Sequence, residues 1–362
     1  MRSVLKMAVS ALVISVTLAG CSMTGPAAAP SFTCMNMVDD TTGWALTESA
    51  VLCTTDGGLT WKSVTPAGCR LNQCARGFFM DGNRAWVGAY GDRSTLVVYR
   101  TSDGGRTWDN SAIELETVEG VAPQMQFIDP SNGWMMAHQG VAMHHEVVTL
   151  LRTTDGGKTW SVASKTDPRV FKPGEIPFAG HKTGFAFRNA EEGWITGYEP
   201  VDGTAYLLRT VDGGRTWERV SLMLPEAHKK SQLTTMQPVF FSASDGLIPV
   251  SFAGNQMEMG FYVTHDGGKA WAVGSMLKSV GEYGLVWTFA SITNGFATDG
   301  TQVYVTTNGG RNWTAVKPDR RLKDVRALEF VSDKTGWAIG EGLLLKTADG
   351  GHTWAEVPAR VQ

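Results

Sequence analysis

The 362-residue sequence lacks the signatures of most enzyme classes: it carries no phosphate-binding loop, no dinucleotide fingerprint and no Ser/His/Asp arrangement. It also has no excess of positive charge. The formal net charge is −3, and −5 without Arg2 and Lys6 near the N-terminus, which argues against nucleic acid as a partner. Cysteine is scarce, with five in all, and the Cys-x-x-Cys spacing common in structural zinc sites is absent. The apolar stretch at residues 7–18 is too short to span a bilayer, which takes about 20 residues. A hydrophobic content of 43% is enough to fill a substantial core, so disorder is excluded as well.

What is there begins with an export signal. Arg2 and Lys6 form a positive region, residues 7–18 an apolar one, and Leu18-Ala19-Gly20-Cys21 resembles a bacterial lipobox. The reading is a signal peptide over 1–20, a lipidated Cys21 heading a flexible tether to residue 31, and one domain over 32–362. An ordinary secretory signal with a chance cysteine is the alternative. Two or three acyl chains on Cys21 hold a protein on a membrane, since each buried CH₂ contributes about 0.8 kcal/mol. Outside the cytoplasm the four remaining cysteines favour disulfides. Cys69 and Cys74 flank a four-residue loop and form the local pair, leaving Cys34 with Cys53. The other two connectivities stay open, and a zinc site is the rival use of these residues.

One eight-residue motif recurs seven times: TTDGGLTW at 54–61, TSDGGRTW at 101–108, TTDGGKTW at 153–160, TVDGGRTW at 210–217, THDGGKAW at 264–271, TTNGGRNW at 306–313 and TADGGHTW at 347–354. Spacings of 41 to 57 residues are those of a blade or solenoid repeat. Before each copy stands a second, weaker element: Gly43-Trp44, Ala85-Trp86, Gly133-Trp134, Gly193-Trp194, Gly246-Leu247, Gly295-Phe296 and Gly336-Trp337. The two elements use twelve of the thirteen tryptophans; Trp287, in the first strand of the sixth unit, is the exception and reads as core or channel lining. Short alternating segments complete each unit, which therefore predicts four strands, a to d, with the motif as the c–d turn.

The motif explains itself as a turn. Gly-Gly supplies the positive φ of a tight hairpin, and the carboxylate accepts from N–H groups otherwise unpartnered. Asp56, Asp103, Asp155, Asp212, Asp266 and Asp349 share this position with Asn308, and Trp61, Trp108, Trp160, Trp217, Trp271, Trp313 and Trp354 fold back over the turns. An amide at one of seven copies suits a structural turn and not a catalytic acid. Such units stack radially, so the fold class is all-β: a seven-bladed propeller of four-stranded blades, with whole-blade closure or a one-strand exchange at the seam. An open β-solenoid is the rival architecture.

These motifs, with a preceding F-x-D-x-x-x-G-W, are the BNR or Asp-box repeat. Seven in one exported chain resemble the photosystem II stability and assembly factor family and its bacterial relatives over roughly residues 32–357. The resemblance implies a non-enzymatic scaffold for a membrane-protein complex, with no cofactor. Basic residues three positions before the motif Asp, frequent in that family, stand here as Arg100, Arg152, Arg209 and Lys346, and Cys53, Val263 and Val305 interrupt the series.

Propeller topology puts the a–b and c–d turns on one face and the b–c hairpins and d–a links on the other. The second face is the varied one, so binding residues are sought there. His144, His145 and Glu146 with His138 are weak metal candidates; neighbours on a strand point oppositely, so the expectation is no metal. Arg169, Lys172, His181, Lys182, Lys229 and Lys230 form a candidate basic rim, against the plain reading of solvated charge. Tyr90, Tyr198 and Tyr283 are candidate aromatic anchors, against half-buried packing. No catalytic residue is assigned. The enzyme alternative is a sialidase or other glycoside hydrolase, whose chemistry needs paired acids or a Tyr nucleophile with an arginine cluster, and the Arg-Ile-Pro signature of sialidases is absent. A receptor for an extracellular glycan or small molecule is the third reading.

Overall fold

The computed structural model describes residues 29–71, 75–91, 94–117, 123–169, 172–254, 256–278 and 284–362. All seven repeats become four-stranded antiparallel units. In the first, Cys34–Met37, Gly43–Leu46, Val51–Thr54 and Thr60–Ser63 pair in chain order. In the third, the same order is followed by Gln124–Phe127, Gly133–Ala142, His145–Thr153 and Ser161–Lys165. The weaker element marks where every strand b begins, from Gly43 to Gly336, and the motif threonine where every strand c ends, from Thr54 to Thr347.

Each Asp-box is bound to its own blade in the same way. The N–H of the first glycine donates to the a–b turn carbonyl, as Gly57 to Thr41 at 2.7 Å, Gly213 to Glu191 at 2.8 Å and Gly350 to Lys334 at 2.9 Å. This fixes both turns on one face. Both box glycines lie at positive φ, for example 78° at Gly213 and 94° at Gly214, where other residues are strained.

The box also locks neighbouring blades together. The indole N–H of a strand-b tryptophan donates to a box carbonyl of the next blade: Trp86 to Gly156 at 2.8 Å, Trp134 to Gly213 at 3.1 Å. Trp337 donates to Gly57 at 3.0 Å, joining blade 7 to blade 1 across 280 residues and closing the ring. The core is accordingly interleaved between blades: Trp134 stacks on Phe187 of the following blade with centroids 3.8 Å apart, and Trp86 on Phe127 at 3.9 Å. Full burial of such rings contributes about 1.5–3 kcal/mol each.

Three features lie outside the regular pattern. Closure occurs between whole blades, but Arg360–Val361 adds a fifth strand, parallel, to the outer edge of blade 1. Leu233–Thr235 pairs with strand b of both blade 4 and blade 5, fusing them into a ten-stranded sheet. The expected Cys34–Cys53 bridge is a correction: strand b lies between the two, with Cys34 level with Leu46 and Cys53 level with Trp44, and neither is in a disulfide. Disulfide geometry needs Cα atoms within roughly 7 Å, which this arrangement does not offer. The Cys69 thiol hydrogen-bonds with the Tyr99 hydroxyl and burial pushes it up to about 11. Cys74, its expected partner, lies outside the described residues, as do Cys21 and the leader.

Candidate functional site

Five of the six Asp-box carboxylates use both oxygens as turn fasteners, and Asp266, where Ala270 replaces the motif threonine, uses Oδ1 alone. Asp212 Oδ1 accepts from Thr210 Oγ1 at 2.8 Å, Arg215 N at 2.9 Å and Thr216 N at 3.0 Å, and Oδ2 from Thr216 Oγ1 at 2.7 Å. Asp103 is held down to about 2 by the Thr107 hydroxyl, and Asp155 to about 2 by the Thr159 N–H. Around Asp212 and Asp349 burial pushes the other way, but the Thr216 and Thr353 bonds outweigh it and both also fall to about 2. Asn308 keeps only the acceptor half of this pattern, from Thr306 Oγ1 and Asn312 N, both at 3.0 Å. An acid held so far below neutrality cannot donate a proton near pH 7.

The family-type basic residues serve the same face. Arg152 lies over the Trp134 ring at 5.3 Å, Arg209 over Trp194 at 6.0 Å and Lys346 over Trp337 at 4.7 Å. Arg100 Nη1 donates to Gly157 of the next blade at 3.3 Å, and Lys346 Nζ to Asp40 of blade 1 at 3.1 Å. Arg100 and Lys346 thus act as clasps between blades, while Arg209 pairs with Glu192 of its own blade.

On the opposite face the candidates of blades 3 and 4 come together. The b–c hairpin of blade 3 turns at His144, which has a φ of 65° and so takes the left-handed conformation a histidine rarely adopts. Its ring meets His181 at 6.2 Å and Tyr198 at 6.3 Å. His145 points elsewhere, against Phe178 at 4.7 Å. Tyr198 is half-buried and its hydroxyl donates to Gln232 Oε1 at 3.3 Å. Val141, Met143 and Val201 are exposed, Met143 at 90%.

Beneath this surface lies a buried polar cluster that the pattern of residues did not announce. Glu146 Oε1 is 2.6 Å from His138 Nδ1, and Oε2 accepts from the Lys182 backbone N–H at 2.5 Å. Burial works against the Glu146 carboxylate, but His138 and Lys182 leave it below the usual carboxylate range. The Lys182 ammonium sits among carbonyls of the long link into blade 4, at 2.6 Å from Pro177 O and 2.9 Å from Gly180 O. Burial lowers this ammonium to about 8, opposed by the Glu146 charge. Next to it, Arg219 forks onto Glu199 at 2.7 and 2.8 Å and covers the Tyr206 ring at 5.2 Å. The cluster pins the link and hairpin that carry His144, His181 and Tyr198.

Several candidates fall elsewhere. Lys182 is buried and belongs to no rim, and Tyr90 is packed in the blade 2–3 core at 9% exposure. Lys172 pairs with Glu175 at 4.0 Å and Lys229 with Glu226 at 2.6 Å; Arg169 and Lys230 are solvated. Tyr283 lies outside the described residues. Glu146 turns inward while His144 and His145 diverge, and no group of three metal-ligating side chains is found among the described residues. Trp287 is half-buried, edge-on to Phe261 at 5.6 Å.

The Photosystem II assembly lipoprotein Ycf48 of Synechococcus sp. (strain CC9902) is 23% identical over 316 residues, covering 82% of this chain and 78% of the relative. A solved structure of YCF48 bound to D1 peptide matches with a TM-score of 0.56 and 17% identity over 90% of this chain and 99% of that one. The YCF48 of Cyanidioschyzon merolae matches with 0.55 and 19%, over 90% and 97% of the two chains. A GH74 xyloglucanase from Xanthomonas campestris shares the fold with a TM-score of 0.63 at 13% identity, over 91% of this chain but 55% of the enzyme. The family described as photosynthesis system II assembly factor YCF48 matches residues 111–224 and 163–321, more than half of the sequence, and the chain belongs to that family.

Proposed function

We propose that this protein is a non-enzymatic propeller, held outside the cytoplasm by a lipid on Cys21, that binds a protein of a membrane complex and assists its assembly or stability. The domain reading is unchanged: a signal over 1–20, a tether over 21–31, and a single propeller over 32–362. The observation that carries the proposal is the contrast between the two faces. The repeated carboxylates are spent on their own turns, whereas His144, His181 and Tyr198 form a partly exposed aromatic group on a rigid, polar-anchored support. Such side chains are common anchors of protein interfaces. Membership of the family, and a relative named as an assembly lipoprotein, favour the same reading.

Tyr198 and His181 carry the proposed contact, with Lys229, Lys230 and Arg169 as outlying charges; Lys172 belongs to the turn at Gly174 that meets the blade 4 box. The test is crosslinked capture from membranes of the native host. One membrane complex recovered by the intact chain, and lost when His181 and Tyr198 become alanine, supports it. The xyloglucanase likeness supplies the second reading, glycoside hydrolysis, and turnover of a glycan panel by the pure protein would overturn the scaffold. Among the described residues, two carboxylates of this face, Glu146 and Glu199, are tied to His138 and Arg219.

A further inference from the structure

The seven-fold repeat provides its own controls for an unfilled position. At four blades another piece of this chain hydrogen-bonds to the outer margin of the Asp-box, as a parallel strand at blade 1 and as a turn or loop at blades 4, 6 and 7. Arg360 N–H donates to Leu59 O at 3.0 Å in blade 1, and Gln362 N–H to Trp61 O at 2.8 Å. Ser275 N–H donates to Arg311 O at 3.2 Å in blade 6, and Asp319 N–H to His352 O at 3.0 Å in blade 7. In blade 4 the Trp217 N–H donates to Gly174 O at 2.9 Å. The carbonyl at the sixth motif position and the N–H at the eighth are therefore docking points for backbone groups of other segments, and at blade 1 the segment at this margin is a strand.

In blade 2 the matching groups are the Arg106 carbonyl and the Trp108 N–H, and neither makes a hydrogen bond within the described residues. Blades 3 and 5 lack the bond too, and in all three blades the preceding segment shares an apolar cluster with the box tryptophan. In blade 2 this is Val64, whose carbonyl accepts from Trp108 Nε1 at 2.7 Å; Ile113 and Leu115 lie with Trp160, and Val220 and Leu222 with Trp271. What sets blade 2 apart is the space left beside it. Beside blade 2 the space is a cleft of ≈ 750 Å³ that reaches blade 1. Its walls include Trp44, Tyr99 and Trp108, with Gly82, Gly104 and Ala67 leaving room for a backbone.

The charge of the cleft selects its occupant. Lys62 and Arg106 both line it, and neither is in an ion pair among the described residues. The one acid in the lining, Asp103, spends its carboxylate on Thr101 and Thr107. We propose that the cleft between blades 1 and 2 takes an extended segment of a partner protein bearing an acidic side chain. The segment donates to the Arg106 carbonyl and accepts from the Trp108 N–H, as strand addition to a free edge requires, and its carboxylate meets Lys62 and Arg106. The site is on the face opposite His144, His181 and Tyr198, so it stands or falls separately from the contact proposed there.

The probe is a phage-displayed library of random linear heptapeptides selected on the full chain, followed by anisotropy with the enriched peptide in free form. Acidic peptides are expected to be enriched. Binding should weaken at least about tenfold in K62E/R106E, whose exposed positions leave the thermal midpoint unchanged, and should be unaltered by H181A/Y198A. Hydrogen exchange should slow at 62–67 and 106–110 when the peptide is bound. No enriched binder, a binder indifferent to K62E/R106E, or protection confined to other residues would overturn the proposal.

Discussion

The two faces of this propeller solve opposite problems with the same backbone. On the Asp-box face one solution is repeated: a Thr–Asp–Gly–Gly turn, a glycine N–H to the a–b turn and, from blades 2, 3 and 7, a tryptophan clamp onto the next box. On the opposite face nothing repeats, and a single cluster around Glu146 and Lys182 organises the loops of blades 3 and 4. Repetition makes each turn tolerant of a lost interaction. The unique cluster has no such reserve, which makes it the place where one substitution does most damage.

Four substitutions sharpen this contrast, in decreasing order of effect. Glu146→Ala leaves His138 without its hydrogen-bond partner and the Lys182 ammonium buried without its counter-charge, and should cost about 3–5 kcal/mol in denaturant unfolding. Asp212→Ala removes four acceptor contacts from one turn and should cost about 3 kcal/mol. Asn308→Ala removes two, and should cost about 1–2 kcal/mol by the same assay. If Asn308→Ala proved the more harmful of the two, the account of the box as a hydrogen-bond fastener would be wrong. His144→Ala, on the exposed tip, should change stability by less than about 1 kcal/mol.

The box face should also respond to acid. Four box carboxyls titrate near 2 in the folded chain, below the ordinary Asp value. A depressed folded pKa means that the unfolded chain takes up protons first, so the box contribution is complete above about pH 4 and is lost as pH falls towards 2. Tryptophan fluorescence during acid titration should therefore report loss of structure in that window. A transition complete above pH 5 would contradict this assignment.

Much of the fold was legible because the motif encodes its own geometry. Gly-Gly at positive φ, an acceptor side chain and a folding-back tryptophan are local requirements that located the end of strand c in every blade, and the weaker element located the start of strand b. The two-residue strand at Arg360–Val361 was not, since its partner lies about 300 residues earlier and its composition is ordinary. Lys182 was misread as surface charge for a similar reason. What buries it is the course of the link through Pro177 and Gly180, which no spacing encodes. By sequence His181 belongs to a basic rim and Tyr198 to the aromatic anchors, and nothing in their spacing encodes their meeting at His144, on a hairpin whose register shifts between His138 and Gly140.

The most direct test of the division between the faces is quantitative crosslinked capture of membrane proteins from the native host with three forms of the chain. These are the wild type, H144A/H181A/Y198A, and the box-face control K158E/R215E, whose positions are exposed. The account predicts one membrane complex recovered equally by the wild type and the control, and reduced at least about tenfold by the triple variant. Capture that survives the triple variant and disappears with the control would contradict it.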